Sequence, residues 1–367
     1  MLPRYTVEAR KKLLSKIEIF SVTFYGGMMK KIVFFCFACL CVLPVLTACK
    51  KGTQVKNDLA KADNAVVKIG ISKIVSHLAL DASEQGIQDA IKDAGINVSY
   101  DFQNANGDVN TAAQIATKFK NDKVNIAVGI ATPVAVSLAN AIKDIPVVFS
   151  SVTDPVGAGL VTSLEKGDGN VTGLSDAIPT REHIKMFKDI ANLKTLGYIY
   201  TSNEANSISS LTIVESACKE FGLQLVTQSI STSAEVKQAA DAIVNRVDGV
   251  YLTTDNTVFS ALNAIIQVFS KAKKPIFAGD VTAAMNGGCM IASGFNYYKA
   301  GYATGEIVVA LLNGKTPESI PVKFLTDLSE SDLLFDLDAA ANCGITIPDS
   351  YLANANYIFE KGNLTKK

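Results

Sequence analysis

From Val66 onward the chain alternates short apolar runs with stretches of helical spacing, and it does so twice. The runs 66–72, 97–102, 124–130 and 145–152 are rich in Val and Ile and end at turn residues, which predicts buried strands. Between them, 80–94, 111–120 and 133–143 carry helical spacing, with Gly95 suited to close the first helix. The alternation restarts with strands at 195–200, 223–230, 249–253 and 275–278 and helices at 207–220, 234–245 and 257–272. No hairpin signal joins neighbouring strands. Strands linked through helices run parallel, and a parallel sheet is covered by helices on both faces. The predicted fold class is therefore α/β, with two doubly wound parallel-sheet lobes and a cleft between them.

The two halves also echo each other. Residues 124–142 align without gaps on 247–265, matching Val124 with Val247, Ser137 with Ser260, Asn140 with Asn263, Ala141 with Ala264 and Ile142 with Ile265. Each copy leads into a further strand that closes on an acid, Asp154 in one and Asp280 in the other. A duplicated lobe explains both the matches and their placement.

Ligands of such sheets sit beyond the carboxyl ends of the strands. The loops expected there are rich in hydroxyl, amide and carboxylate groups, which suit a small polar or zwitterionic molecule. The candidate ligand contacts are Ser76, His77, Thr132, Ser150, Asp154, Asn203, Glu204, Asn206, Ser207, Asp255, Asn256 and Asp280. Ser, Thr, Asp and Asn also cap helix starts, and the sequence leaves that reading open for each of these residues.

Composition excludes several functions. Lys plus Arg and Asp plus Glu both total 35, and a neutral chain lacks the footprint of a nucleic-acid binder. Beyond position 49 only Cys218, Cys289 and Cys343 remain, odd in number and far apart, which is no disulfide framework. Two separated histidines, His77 and His183, without a Cys pair do not make a metal site. Beside Arg181 and Glu182, His183 is expected on an exposed helix face. No Walker A loop, nucleophile elbow or His-Glu-x-x-His pair occurs, and Ser163–Lys166 matches the bare Ser-x-x-Lys spacing without its partner motifs. The chain is read as a non-enzyme with no cofactor.

Localisation is read near the start. Lys30 and Lys31 precede an apolar run from Ile32 to Leu46 that ends in Thr47-Ala48-Cys49. The run is short for a membrane span and has the three-part shape of a secretory signal. Its ending resembles a bacterial lipobox, in which the cysteine is diacylated; a plain anchor helix is the alternative. Two buried acyl chains give firm attachment, so the protein is expected at the cell membrane, lipid-anchored through Cys49 on the extracytoplasmic side. The expected organisation is an upstream extension (1–27), a signal (28–48), a polar tether (49–65), a first lobe (66–178) and a second lobe (179–295). A crossover helix and closing segments (296–350) and a tail (351–367) complete it.

The chain also resembles a known family. Lys68-Ile69-Gly70-Ile71, Ile74-Val75-Ser76-His77, Gln103-Asn104-Ala105-Asn106-Gly107-Asp108, Ala131-Thr132-Pro133 and the run from Thr153 to Val161 carry the likeness. It continues in 170–176, Asn203-Glu204-Ala205-Asn206-Ser207, Thr254-Asp255-Asn256-Thr257 and 344–348. Together these resemble the substrate-binding lipoproteins of ABC transporters, in the group with tryptophan- and tyrosine-type binding proteins. The resemblance implies a type I periplasmic-binding-protein fold that closes by hinge motion over one ligand, an aromatic amino acid. It also implies delivery to a membrane permease and its ATPase. For such a ligand, Asp255 is expected to take the ammonium, with Asp280 as second choice, and Ser150, Thr132 and Ser207 the carboxylate, with Glu204 in the site or in closure. A sensing lipoprotein that signals to a membrane receptor or kinase needs the same two lobes and stays open as the alternative.

Cys49→Ser is expected to abolish acylation and release the protein or leave uncleaved precursor, with ligand binding by the domain from Val66 unchanged. Membrane fractionation with mass measurement of the N-terminus checks this, and unaltered retention and processing would refute the lipid anchor.

Overall fold

The Val- and Ile-rich runs pair side by side in the computed structural model, which describes residues 66–325 and 331–367. The upstream extension, the signal, Cys49 and all of the tether lie outside the described residues. In the first lobe, β1 (Val67–Lys73), β2 (Val98–Asn104), β3 (Ile126–Ile130), β4 (Val147–Ser150) and β5 (Val171–Ser175) alternate with α1 (Leu78–Asp93), α2 (Val109–Asn121) and α3 (Thr132–Ala141). The second lobe contains α4 (Thr180–Ala191), β6 (Thr195–Thr201), α5 (Ala205–Phe221), β7 (Gln224–Ile230), α6 (Val236–Ile243) and β8 (Gly249–Leu252). It continues through α7 (Asn256–Ser260), α8 (Leu262–Lys271), β9 (Ile276–Ala278), α9 (Val281–Ala284) and β10 (Ile291–Phe295).

Both sheets share one strand order, β2-β1-β3-β4-β5 and β7-β6-β8-β9-β10, all parallel. The internal echo therefore falls on equivalent parts, β3 with α3 in one lobe and β8 with α7 and α8 in the other. Every residue of β3, β4, β8 and β9 is buried, which is why these strands are continuously apolar and do not alternate. The predicted helix over 257–272 breaks at Ala261 (φ −121°, ψ 23°) into α7 and α8. His183 is buried, against the expectation of an exposed face. It shares the apolar stripe of α4 with Ile184, Phe187 and Ile190, and its Nδ1 lies 3.1 Å from the Tyr251 hydroxyl. Burial alone pulls its pKa down to about 3, so the ring is neutral.

After β10 the chain returns to the first lobe as α10 (Tyr297–Leu312) and adds β11 (Lys323–Phe324) beside β5. It then crosses once more, and β12 (Ser331–Asp336) pairs antiparallel with β10. Past the short helices α11 (Leu337–Asn342) and α12 (Asp349–Leu352), β13 (Tyr357–Glu360) and β14 (Asn363–Lys366) form a terminal antiparallel hairpin. The second sheet is thus mixed at this edge, where the sequence suggested only closing segments and a tail.

Helix α10 completes the first core. Its Ile307, Val308, Leu311 and Leu312 are buried in one cluster with Ile69, Ile87, Phe119 and Val148. It meets α1 backbone to backbone: a Cβ on Gly301 would lie 2.0 Å from the Ser83 carbonyl oxygen, and one on Gly86 would lie 2.2 Å from that of Tyr298. A buried hydroxyl chain, Ser83 to Ser150 (3.1 Å) to Thr304 (2.9 Å), ties α1, β4 and α10 together. Around the crossings Leu174, Phe295, Ala300, Ala303 and Leu325 form a small apolar cluster of their own. The lobes also touch through helices, α1 against α9 and α5 against α3.

Because even one methyl group cannot fit between α1 and α10, Gly301→Ala is expected to destabilise the protein by about 1–3 kcal/mol. Lys299→Ala, on the exposed face of the same helix, should stay within about 0.5 kcal/mol. Urea unfolding of both variants checks the contrast.

Candidate functional site

Loops beyond the strand ends of both lobes enclose a small cavity. The first lobe supplies His77 and Leu80 after β1, Thr132 after β3, Ser151 and Thr153 after β4, and Asp176 after β5. The second supplies Asn206 after β6, Thr254, Asp255, Asn256 and Phe259 after β8, Asp280 after β9 and Tyr297 after β10. The cavity measures about 10 Å³, on the order of one water molecule. The cleft is shut, and hydroxyl contacts hold it: Thr153 meets Thr254 at 3.1 Å, and Ser209 donates to Asp154 at 3.0 Å. A second groove of about 390 Å³, lined by Asp154, Ile178, Ser209 and Ile213 among others, shares Thr153 with the cavity.

No Lys or Arg lines the cavity, yet three carboxylates do. Asp255 is fully engaged within its own lobe. It accepts from the Thr201 amide (2.7 Å), the Thr201 hydroxyl (2.7 Å), the Ser207 hydroxyl (2.7 Å) and the Val258 amide (3.0 Å). Four donors fill a carboxylate's acceptor sites, so Asp255 ties β6 and α5 to α7 and has nothing left for an ammonium. Glu204, buried just outside the cavity, is equally filled by Asn206, Asn256 and the amide and hydroxyl of Thr257. Burial raises the pKa of both acids, and the nearby Asp255 charge raises Glu204 further.

Asp176 and Asp280 are different. Among the described residues, Asp176 accepts only from the Thr153 hydroxyl (3.0 Å) and the Tyr297 hydroxyl (2.8 Å). Asp280 uses one oxygen to cap α9, accepting from the amides of Thr282 (2.8 Å) and Ala283 (3.3 Å), and among the described residues no hydrogen bond reaches its second oxygen. Burial pushes Asp280 up to about 7, two backbone hydrogen bonds oppose the rise, and the Asp176 charge adds to it. Burial likewise raises Asp176. Two buried carboxylates that repel each other, with acceptor capacity unused and no cation beside them, are suited to receive a cation.

Donors and acceptors without partners converge on the same cavity: both ring nitrogens of His77, the hydroxyls of Thr132 and Ser151, and Asn206 Oδ1. Buried polar groups are nearly always paired, so four such residues around one cavity mark a ligand site. Thr132 opens the ten-residue helix α3, whose N-cap is Ala131 at φ 77° and ψ 156° with no side-chain cap. That conformation is strained for a residue with a Cβ and costs of order 1–3 kcal/mol. It sets the helix start, with its positive dipole end, at the cavity that Thr132 lines, where an anionic group is favoured.

Of the residues singled out from sequence, His77, Thr132, Asn206, Asp255, Asn256 and Asp280 line the cavity. The others do not. Ser76 is exposed and bonds Asp81, Ser150 is buried in the hydroxyl chain of the first core, and Asn203 is exposed in a turn. Asp154 joins the lobes through Ser209, while Ser207 and Glu204 brace the second lobe. Sequence reasoning missed Asp176, Tyr297, Ser151, Leu80 and Phe259, while Thr153 and Thr254 stand in the strand-end loops it points to but not among its chosen contacts. Asp176 and Tyr297 follow β5 and β10, and recognising those strands would have pointed to both. Among the described residues no cluster of three His, Cys, Asp or Glu side chains could hold a metal ion. No described helix is long and apolar enough to cross a membrane.

Known proteins share this fold. Residues 68–358 match the family model described as ABC transporter substrate binding protein. A tyrosine-binding protein from Clostridioides difficile (strain R20291) is 36% identical over 317 residues, covering 84% of this chain and 91% of that protein. An ABC domain from Streptococcus pneumonia in complex with L-Trp superposes with a TM-score of 0.76 at 32% identity, covering 80% of this chain and 100% of that one. The ligand-free, open structure of a substrate-binding protein with adhesive properties from Clostridium difficile gives 0.60 at 35% identity, covering 81% and 100%. The chain superposes more closely on the tryptophan complex than on the open structure, although the latter is slightly nearer in sequence.

The raised acids set a pH dependence. A carboxyl whose pKa is higher folded than unfolded contributes stability that is present below its ordinary value near 3.8 and lost as pH rises toward 7. Without added ligand, the melting temperature should therefore fall between about pH 5 and pH 8 through this contribution. Asp280→Asn keeps a capping oxygen and should flatten that slope. Thermal melts across this range check it, and an equal slope in the variant would refute the assignment.

Proposed function

We propose that this chain, which belongs to the ABC transporter substrate-binding protein family, captures a free aromatic amino acid in the interlobe cleft. In this reading it delivers the ligand to a membrane permease and its ATPase while held at the extracytoplasmic face by lipid on Cys49. The observation that carries the ligand class is the pair Asp176 and Asp280, buried without a cation and with acceptor sites unused. A sugar would leave both acids uncompensated, whereas an α-ammonium supplies one positive charge and three N–H donors. The Thr132 and Ser151 hydroxyls and the uncapped start of α3 then receive the α-carboxylate. Leu80, Phe259 and Tyr297 offer apolar and aromatic surface to a ring. The names of the relatives, one binding tyrosine and one carrying L-Trp, support the same class.

Capture follows from the two-lobe construction. The chain crosses between lobes around the cluster of Leu174, Phe295, Ala300, Ala303 and Leu325, which leaves each core intact when the cleft opens. Ligand bound to one lobe brings the other onto it, and water leaves the carboxylates as the ammonium replaces it.

Titration calorimetry with tryptophan, tyrosine, phenylalanine and glucose tests the reading. The aromatic amino acids should bind and glucose should not. Asp280→Asn should weaken amino-acid binding roughly ten- to a hundredfold, as expected for loss of a charge-assisted hydrogen bond. Thr132→Val should weaken it by roughly fivefold or more. Wild-type protein that binds no amino acid would overturn the ligand class.

A further inference from the structure

We propose that His77 is the residue that reads the ring of the ligand, selecting side chains with an O–H or N–H on the aromatic ring over a bare phenyl ring. This rests on the aromatic amino-acid reading above and assigns the specificity within it. His77 is the N-cap residue of α1 and makes no capping bond with its side chain. Both ring nitrogens are buried at the cavity wall and neither has a hydrogen-bond partner among the described residues. Burial lowers its pKa to about 4, with Asp81 opposing and Lys73 adding to the fall, so the imidazole is neutral at pH 7. Neutral imidazole presents one donor and one acceptor.

The charged ends of an amino acid already have better-matched partners. Its ammonium is served by acids, and its carboxylate by hydroxyls and a helix start. His77 carries no charge to offer either end. One turn further along α1, Leu80 lines the same cavity, so this helix presents to it a wall of one apolar side chain beside one polar ring. The group that completes such a wall is a flat apolar ring with one polar atom. A phenol hydroxyl can donate to the bare imidazole nitrogen or accept from its N–H, and an indole N–H can donate to the bare nitrogen. A phenyl ring does neither and leaves both nitrogens buried and unpaired, which is the arrangement that rejects a ligand most strongly.

The test is calorimetric binding of tyrosine, tryptophan and phenylalanine to wild type, His77→Leu and His77→Gln, with thermal melts to establish folding. Wild type should bind tyrosine or tryptophan at least roughly tenfold more tightly than phenylalanine. His77→Leu should weaken the preferred ligand by roughly ten- to a hundredfold and phenylalanine least, collapsing the selectivity, while His77→Gln keeps part of it. Should His77→Leu fail to fold, the wild-type selectivity and the Gln variant decide. Phenylalanine bound as tightly as the other two by wild type, or selectivity unchanged in either folded variant, would overturn the role of His77 and leave amino-acid capture standing. No binding of any of the three overturns both.

Discussion

The contact between α1 and α10 is made where neither helix has room for a side chain, with Gly86 and Gly301 placed at the crossing. Much else depends on it. Helix α10 begins beside the last parallel strand of the second lobe and ends in the core of the first, so the first lobe cannot close its apolar interior without residues that follow the second. The helix also begins at Tyr297, whose hydroxyl bonds Asp176 inside the cavity. One element therefore completes a core, joins the lobes and fixes a carboxylate in the cleft. A shift of α10 against α1 would be felt at all three places.

Buried acids in this protein fall into two kinds, and hydrogen-bond saturation separates them. Glu204 and Asp255 each accept four donors from their own lobe and act as internal clamps that hold the β6–α5 and β8–α7 turns together. Asp176 and Asp280 accept two each and face the cavity. Both kinds are costly to bury. Only the second keeps acceptor capacity that a ligand can fill.

That distinction explains how much was legible in the sequence. Strands such as β3, β4 and β8 announce themselves by unbroken Val, Ile and aromatic runs, and the helices between them by spacing. Strand β5, Val-Thr-Gly-Leu-Ser, and strand β10, Ile-Ala-Ser-Gly-Phe, are built from small residues because other backbone packs closely on them: a Cβ on Gly173 would lie 2.1 Å from the Phe149 carbonyl oxygen. They carry little apolar signal, and the site residues that follow them, Asp176 and Tyr297, were missed with them. The charged neighbours of His183 point to an exposed face, whereas its spacing from Phe187 and Ile190 puts it on the buried stripe. Asp255 was found, but its role was not readable, since its donors come from Thr201, Ser207 and Val258 and only folding brings the first two to it.

The size of the shut cavity bears on timing. A space of about 10 Å³ admits no amino acid, and none can leave it while Thr153 touches Thr254 and Ser209 touches Asp154. Entry and exit must both wait for the lobes to part. At high solute the observed association rate then levels off at the opening rate and becomes the same for every ligand, whatever its affinity. Those latches are hydroxyl contacts of modest strength, so the dwell time of a captured molecule is set mainly by what it adds across the cleft. A tightly held solute is, by the same physics, one that is slow to hand on.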